Sequence, residues 1–224
     1  MTRALVFGGT GALGAAVVAE LSDEGWQVDV AGRTGGEGVT VDLSNTGWAD
    51  SAPGPYDGIV WAQGANASGA ALDAAVPGQL RSLYEANVVF IIETLQALTT
   101  AGALAAPARA VVLSSVWQVT TRANKVAYVA SKAALAGLLP AMAADLGGRL
   151  AVNGVLPGVI DTPMTRANLT AQQLAHVEGE SIGGALASPQ NVARTVSWLL
   201  GPRSAGVNAQ WIAVDNGWSA VRSV

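Results

Sequence analysis

The sequence predicts an α/β fold: a single doubly wound parallel sheet with helices on both faces, occupying residues 1–224 as one domain. An apolar strand at Ala4–Phe7 runs directly into a glycine-rich turn and then a helix. Short apolar stretches typical of buried strands then alternate with helical patterns along the chain. With 224 residues, 50% of them hydrophobic, the chain can bury the core of one sizeable domain.

The composition excludes several classes of function. Against 16 acidic side chains the chain has 12 basic ones, for a formal net charge of −4. No basic run could neutralise a phosphate backbone, so we expect no nucleic-acid partner. The chain has no cysteine, and its single His176 has no second histidine as a partner, so we expect neither disulfides nor a metal site.

The expected location is the cytoplasm. The N-terminal residues enter a short strand without the longer apolar region of a signal peptide, and no uninterrupted apolar run approaches the length of a membrane helix, so we expect no membrane partner. Charged residues make up 12% of the chain, against roughly 25% in typical soluble domains. This shortage of charge indicates that other subunits cover part of the surface, as in a homo-oligomer.

The first strand is followed by the turn Gly8-Gly-Thr-Gly-Ala-Leu-Gly14 and a helix predicted over residues 15–22. Gly9, Gly11 and Gly14 satisfy the pattern G-x-G-x-x-G, whose glycines allow a tight turn and the close approach of a pyrophosphate. The anion would then lie at the helix N-terminus. A tight corner without a ligand is the alternative, but the position between a strand and a helix favours dinucleotide binding.

The second strand, predicted over residues 26–31, ends where dinucleotide folds distinguish NAD from NADP. Folds that prefer NAD carry an acidic residue there, roughly twenty residues past the glycines, whereas an arginine suits the 2′-phosphate of NADP. Here Arg33 and Thr34 occupy the position, and a guanidinium can bind a phosphate through two hydrogen bonds. The sequence therefore predicts NADP(H) over NAD(H); an ordinary solvated cation is the alternative for Arg33.

The connection after the second strand is short. Only residues 35–38 and their flanks separate it from a third strand at residues 39–41, whereas a parallel crossover normally takes a dozen or more residues and usually contains a helix. We therefore expect the helix between the second and third strands to be missing. One face of the second strand would then be in water, which accounts for the polar residues Gln27 and Asp29 at alternate positions.

A fourth strand at residues 56–61 precedes a long helix predicted over residues 78–97, which has a broad apolar stripe. Asn87 falls in the interior of this helix. A buried amide needs hydrogen-bond partners, so we expect Asn87 to bind neighbouring groups.

The stretch from Ser115 to Lys132 carries the chemistry. Ser115 follows the apolar run 110–113, which predicts a buried strand, so its hydroxyl would lie at a strand's carboxyl end, where open α/β sheets place ligands. Tyr128 and Lys132 are four residues apart in a helix predicted over residues 128–145 and would share one face. The ammonium would lower the pKa of the phenol and make Tyr128 a usable proton donor or acceptor. Together these three side chains predict a site for a carbonyl group.

The helix over residues 128–145 is apolar on nearly every side, so we expect it to be buried, and Pro140 inside it to bend it. A strand at residues 150–156, a helix at 190–200 and a strand at 210–214 complete the predicted sheet.

Residues 163–188 are polar and rich in small side chains, which is typical of a mobile lid over an active site. Candidate substrate contacts are Met164 in this lid and, shortly after the serine, Trp117 and Gln118. An aromatic wall beside one amide suggests a medium-sized, largely apolar ketone or alcohol. A core position is the alternative for Trp117.

These features together resemble the short-chain dehydrogenase/reductase family over nearly the whole chain. Its Tyr-x-x-x-Lys pair corresponds to Tyr128 and Lys132, its serine to Ser115, and its helix asparagine to Asn87. With three tyrosines and two lysines in the chain, a chance surface pair is a poor alternative. The resemblance implies a Rossmann-like fold in which the tyrosine is the acid and base, the serine binds the carbonyl oxygen, the lysine holds the nicotinamide ribose and the asparagine supports a proton relay.

The resemblance also implies a cofactor site. Asp42 would accept a hydrogen bond from the adenine amino group, with a capping or turn role as the alternative. The chain differs from most members of the family at Ala12 and at Trp61–Gln63. The implied cofactor residues, with the two selected above for NADP(H), are Gly8, Thr10, Gly11, Leu13, Gly14, Arg33, Thr34, Asp42, Leu43, Ala62, Gln63, Gly64, Tyr128, Lys132, Pro157, Gly158, Ile160 and Thr162.

The sequence therefore predicts an NADP(H)-dependent oxidoreductase that transfers a hydride between nicotinamide and a ketone or secondary alcohol. A non-catalytic dinucleotide-binding regulatory protein and a lyase or epimerase on the same scaffold are the alternatives. The family resemblance implies a homotetramer or homodimer.

Overall fold

A computed structural model describes residues 2–32 and 38–220. Within these residues one seven-stranded parallel sheet has the order β3-β2-β1-β4-β5-β6-β7, and helices cover both of its faces. The predicted doubly wound α/β fold is therefore confirmed. The strands are β1 Arg3–Phe7, β2 Gln27–Gly32, β3 Val39–Thr40, β4 Tyr56–Trp61, β5 Leu104–Leu113, β6 Leu150–Pro157 and β7 Trp211–Val214.

Two groups of helices cover the two faces. The helices are α1 Ala12–Asp23, α2 Val76–Tyr84, α3 Phe90–Thr100, α4 Val126–Leu146, α5 Pro163–Asn168, α6 Ala171–Glu180 and α7 Pro189–Leu200. Helices α1 and α7 cover one face, and α3 and α4 contribute to the core on the other. Alternate residues of β1 confirm this arrangement, because Leu5 and Phe7 pack in one core and Ala4 and Val6 in the other.

The long helix predicted over residues 78–97 differs in detail from the observed one. Helices α2 and α3 are joined without a break by one π-helical turn, Glu85–Val89, which contains Asn87. Such turns hold an extra residue and are frequent at functional sites. A broad apolar stripe did not reveal that insertion.

The parallel pairing of β2 with β3 agrees with the predicted short connection. Six residues separate Gly32 from Val39, too few for the usual crossover helix, and residues 33–37 lie outside the described part of the chain. On β2, Gln27 is exposed as expected, but Asp29 forms an ion pair with Arg3 of β1 at 2.9 Å.

In the single chain, helix α4, which the sequence predicts to be buried, is buried on one of its faces. Its inward positions include Leu135, Leu139 and Met142, whereas small residues such as Ala133 and Ala136 face outward in the single chain. The helix is not an uninterrupted apolar run, because Lys132 and Asp145 lie within it. The segment Val126–Arg149 is long and apolar enough to cross a membrane by length and composition, yet here it packs on the sheet as a core helix. Pro140 lies on the outer face, and the helix continues through it.

The predicted lid region contains two short helices, α5 and α6, which the sequence reading left without regular structure. Thr162 caps α5, and Thr170 and Gln173 form a reciprocal capping box at the start of α6.

Candidate active site

The glycine-rich turn joins β1 to α1 with little room for side chains. Gly8 has a φ of +76°, and a Cβ at Gly14 would collide with the Gly8 carbonyl oxygen. At Gly11, by contrast, a Cβ would contact only the Gly8 carbonyl oxygen, at an ordinary distance of 3.5 Å. Because α1 begins after Gly11 without a side-chain cap, the first N–H groups of this helix are open to an anion.

The end of β4 lies against this turn. A Cβ at Gly8 would come within 2.7 Å of the Gln63 backbone nitrogen, so the two loops touch through backbone atoms. The Gln63 Oε1 is buried and has no hydrogen-bond partner among the described residues. Gly64 lies next to Lys132, since a Cβ at Gly64 would be 3.5 Å from the Lys132 ammonium. Ala62 is partly buried beside the same turn.

The π-helical turn presents Asn87 to the segment after β4. This side chain is 2% exposed, and its Oδ1 accepts a hydrogen bond from the Ala65 N–H at 2.8 Å. Its Nδ2 donates to the Ala65 carbonyl at 3.1 Å and to the Ser131 hydroxyl at 3.0 Å. Asn87 therefore connects the loop after β4, at Ala65, with helix α4, at Ser131, the residue before Lys132.

Ser115 and Tyr128 face each other at the carboxyl end of β5. Ser115 is 6% exposed, and its hydroxyl oxygen accepts a hydrogen bond from the Trp117 N–H at 3.3 Å. Burial raises the pKa of the Tyr128 phenol, and hydrogen bonding with Ser115 partly offsets that rise. Ser115 and Tyr128 are therefore neighbours at this strand end, and their hydroxyls are the candidates to bind one carbonyl oxygen together.

Lys132 is 4% exposed, and its ammonium donates to the Leu113 carbonyl at 3.3 Å. Burial lowers the pKa of Lys132 to about 8. Its Nζ lies 5.9 Å from the centre of the Tyr128 ring. The spacing of Tyr128 and Lys132 predicts that the ammonium lowers the tyrosine pKa, but burial has the larger effect and raises the pKa of Tyr128.

At the adenine side, Asp42 makes a local turn. Its Oδ1 accepts from the Ser44 N–H at 3.0 Å and from the Ser44 hydroxyl at 2.6 Å, and these bonds lower the pKa of the carboxyl. The turn role named as the alternative is thus present, and the second carboxylate oxygen stays available. Leu43 is 38% exposed. Arg33 and Thr34 lie outside the described residues.

The strand β6 leads to the nicotinamide side of the implied site. Pro157 ends β6, and Gly158 donates its N–H to Val214 at 3.0 Å. Ile160 is buried and bridges to Ala187. The Thr162 hydroxyl accepts from the Thr165 N–H at 3.1 Å, so it caps α5 in addition to any role toward a ligand.

The predicted substrate residues occupy different environments. Gln118 is 9% exposed, and its Oε1 has no partner in the described part of the chain. Trp117 packs edge-to-face against Trp218 with ring centres 5.5 Å apart, and the Arg122 guanidinium lies 5.8 Å from the Trp117 ring. The side chain of Met164 is not among the described ones.

Sequence reasoning missed two contributors to this region. Trp218 lies about a hundred residues from Trp117, and no local pattern connects them; its indole N–H donates to Glu180 of the lid at 3.0 Å. Lys125 packs on the Tyr128 ring from the residue that precedes α4. The sequence could have indicated Lys125, because Lys125 and Lys132 are the two lysines of the chain.

Comparisons with known proteins identify the family to which this chain belongs. A sequence profile described as Enoyl-(Acyl carrier protein) reductase matches residues 12–219. L-xylulose reductase of Bos taurus is 30% identical over 240 residues, which cover 97% of this chain and 96% of that protein. The chain belongs to the short-chain dehydrogenase/reductase family.

Other relatives match in part or in structure. The 3-oxoacyl-[acyl-carrier-protein] reductase FabG of Aggregatibacter actinomycetemcomitans is 34% identical over 110 residues, which span 49% of this chain and only 44% of that protein. The crystal structure of a 3-oxoacyl-[acyl-carrier protein] reductase from Brucella melitensis in complex with NAD is 25% identical, covers 99% and 98% of the two chains and has a TM-score of 0.86. A gluconate 5-dehydrogenase from Burkholderia cenocepacia in complex with NADP, 20% identical over 99% and 96% of the chains, has the same fold at a TM-score of 0.86.

The described residues fit a nicotinamide dinucleotide. The uncapped start of α1 could hold the pyrophosphate, because its N–H groups are free and the glycines leave space. The Lys132 ammonium has three N–H donors, and one of them binds the Leu113 carbonyl at 3.3 Å. The other two donors could bind ribose hydroxyls. The orphaned Gln63 Oε1 beside the turn is a further polar atom that a ligand could satisfy.

Proposed function

We propose that this oxidoreductase uses NADP(H) to interconvert a ketone and a secondary alcohol, with Tyr128 as the acid and base. The observation that carries the proposal is the convergence of Ser115, Tyr128 and Lys132 at the carboxyl end of β5, beside the glycine turn. The bound nicotinamide would supply or accept the hydride. The relatives named above are reductases and dehydrogenases, which supports this class of reaction.

Each side chain has a separate task in the proposed reduction. Tyr128 donates its phenolic proton to the carbonyl oxygen as negative charge develops there. The Ser115 hydroxyl donates a hydrogen bond to the same oxygen and stabilises that charge. Lys132 favours the phenolate left behind and holds the ribose.

Asn87 positions this set rather than contacting the substrate. Its three hydrogen bonds connect the β4 loop to Ser131, the residue before the catalytic lysine. In the proposed relay it keeps the lysine at the distance from Tyr128 at which proton transfer proceeds.

The preference for NADP(H) rests on the sequence positions of Arg33 and Thr34. Both NAD and NADP occur in solved structures of this fold. We expect titration with NADPH and NADH, followed by quenching of the tryptophans, to show tighter NADPH binding that Arg33→Ala removes, because only the guanidinium binds the 2′-phosphate bidentately. Equal binding of both nucleotides, or binding unchanged in the variant, would contradict the preference.

Tyr128→Phe tests the catalytic role. The variant keeps the aromatic ring and loses the proton donor, so nucleotide binding should stay within about twofold while turnover falls by at least about a hundredfold. Tyr84→Phe is the matched control, because Tyr84 is exposed on α2 and should change neither property. Turnover by Tyr128→Phe equal to that of the parent would remove Tyr128 from the mechanism.

We further propose that the chain acts on a small molecule in the cytoplasm as a homo-oligomer. The outward face of α4 supports assembly, because a stripe of small residues allows the close approach of another helix. The lid proposed over residues 163–188 includes α5 and α6 and borders the Trp117–Trp218 pair through Glu180.

A further inference from the structure

Lys125 is a buried cation that the proposed reaction does not use. Its side chain is 8% exposed, and its ammonium donates to the Asn66 Oδ1 at 2.9 Å and to the Ala67 carbonyl at 3.2 Å. Both acceptors are neutral. An ammonium has three donors, so one of them is free for another group.

Among the residues that the structure describes, no carboxylate forms an ion pair with the Lys125 ammonium. Nor does any described carboxylate form an ion pair with Arg122. The stretch from Ser115 to Lys132 contains three cations and no acidic residue, in a chain whose net charge is −4. Two acidic groups near this region have other partners: Glu180 accepts from Trp218 at 3.0 Å and lies 3.6 Å from the His176 ring nitrogen, and Asp73 accepts from the Ala70 N–H at 2.7 Å.

Burial makes this unpaired charge costly. Desolvation, with a smaller contribution from the nearby Arg122, lowers the pKa of Lys125. A buried ammonium held by neutral oxygens is less stable than one paired with an anion. An anionic ligand would supply the missing partner.

The position of Lys125 places that partner beside the reacting group. Its Nζ lies 5.8 Å from the centre of the Tyr128 ring, nearly the same distance as that of Lys132, at 5.9 Å. Both lysines of the chain thus lie against the catalytic tyrosine. Arg122 lies on the neighbouring Trp117, so a second cation borders the same side of the site.

We propose that Lys125 determines substrate specificity by binding an anionic oxygen group, a carboxylate or a phosphate, carried by the ketone or alcohol substrate. Arg122 is the second cation for that group. This inference rests on the proposed function and replaces the largely apolar substrate expected from Trp117 and Gln118 with an oxo or hydroxy acid, or its phosphorylated equivalent.

A purely structural role for Lys125 makes a different prediction. Its two hydrogen bonds hold the segment Asn66–Ala67 against the start of α4, where Gly69 also bridges to Lys125. Loss of that support would weaken binding and turnover of charged and neutral substrates equally. Loss of an anion site would weaken only the charged ones.

The experiment uses the complex with oxidised cofactor for binding and the reduced cofactor for turnover. The ligands are matched pairs: 2-oxobutanoate and 4-oxopentanoate with their methyl esters, and dihydroxyacetone phosphate with dihydroxyacetone. We expect at least one anion to bind about tenfold or more tightly than its neutral partner. Lys125→Met should abolish that preference while leaving the neutral ligand within about twofold, and Lys125→Arg should restore it in part. Arg149→Met, which removes an exposed cation near the start of β6, is the control and should keep the preference.

The outcomes separate the possibilities. A preference for the oxo acids identifies a carboxylate site, and a preference for dihydroxyacetone phosphate identifies a phosphate site. Equal binding within every pair by the unmodified protein, or an equal loss for both members in Lys125→Met, overturns the inference. Turnover of neutral ketones without an anion preference overturns the inference but leaves the proposed function standing. An anion preference without turnover of any pair supports the anion site and contradicts the proposed function.

Discussion

Replacing Lys132, the proposed catalytic lysine, should make the protein more stable while it removes activity. Lys132 is buried, and burial lowers its pKa from 10.5 to about 8. The folded chain therefore binds this proton less well than the unfolded chain does. Lys132→Met fills a similar volume without a charge, so it should raise the free energy of unfolding at pH 7.

The magnitude follows from the pKa difference. A shift from 10.5 to about 8 corresponds to about 3 kcal/mol of destabilisation below pH 8. The lost hydrogen bond to the Leu113 carbonyl costs about 1 kcal/mol, so we expect a net gain of about 2 kcal/mol at pH 7. A lysine whose pKa is lower in the folded state binds fewer protons when folded, so its destabilisation declines as the pH rises from about 8 to 10.5.

Urea unfolding of the nucleotide-free protein at a fixed protomer concentration, at pH 7 and pH 10, measures this effect. The stability of Lys132→Met relative to the parent should fall by about 2.5 kcal/mol between the two pH values, from a gain of about 2 kcal/mol at pH 7 to a loss of about 0.5 kcal/mol at pH 10. Lys132→Arg is the control, because the guanidinium keeps its charge at both pH values and its difference from the methionine variant should stay constant. A constant difference between Lys132→Met and the parent would refute the reasoning, since it would mean that the buried amine does not titrate in this range.

Two further substitutions test the geometry around the cofactor site. Gly14→Ala should reduce nucleotide affinity by at least about tenfold and lower the free energy of unfolding by roughly 2 kcal/mol, because the new Cβ collides with the Gly8 carbonyl oxygen. Calorimetric titration measures the affinity and urea unfolding measures the stability. Unchanged values for both would contradict the close packing at Gly14. Asn87→Ala removes three hydrogen bonds and leaves their buried partners unsatisfied, so the free energy of unfolding measured in urea should fall by about 3 kcal/mol. A fall below about 0.5 kcal/mol would show that water replaces the amide.

The sheet was predictable because its strands are short apolar runs bounded by turn residues. The fourth strand, Tyr56–Trp61, matches its predicted bounds, and the glycine turn has the strand before it and the helix after it that its pattern requires. The second helix of the lid could also have been found, since Thr170 and Gln173 have the spacing of a capping box. Low hydrophobicity in that segment concealed this signal.

Other features depend on contacts that no local pattern shows. One extra residue in the turn Glu85–Val89 leaves the apolar stripe of the helix almost unchanged, so periodicity did not detect it. The contact of Trp117 with Trp218 joins distant parts of the chain. The raised pKa of Tyr128 results from burial, which opposes the effect of the lysine that spacing alone suggested.

Several polar and charged groups at the carboxyl end of the sheet lack a full set of partners. Lys132 and Lys125 are buried without a carboxylate, and Gln63 has an orphaned oxygen in the described part of the chain. Tyr56 and Trp211 carry orphaned atoms at the opposite ends of their strands. Unpaired buried groups lower the stability of the free protein, and a ligand that binds them offsets this loss. Nucleotide phosphates, ribose hydroxyls and a substrate anion are the groups that would bind the side chains at the carboxyl end of the sheet. The same residues that make the free protein less stable are therefore those that should bind most strongly in the loaded one.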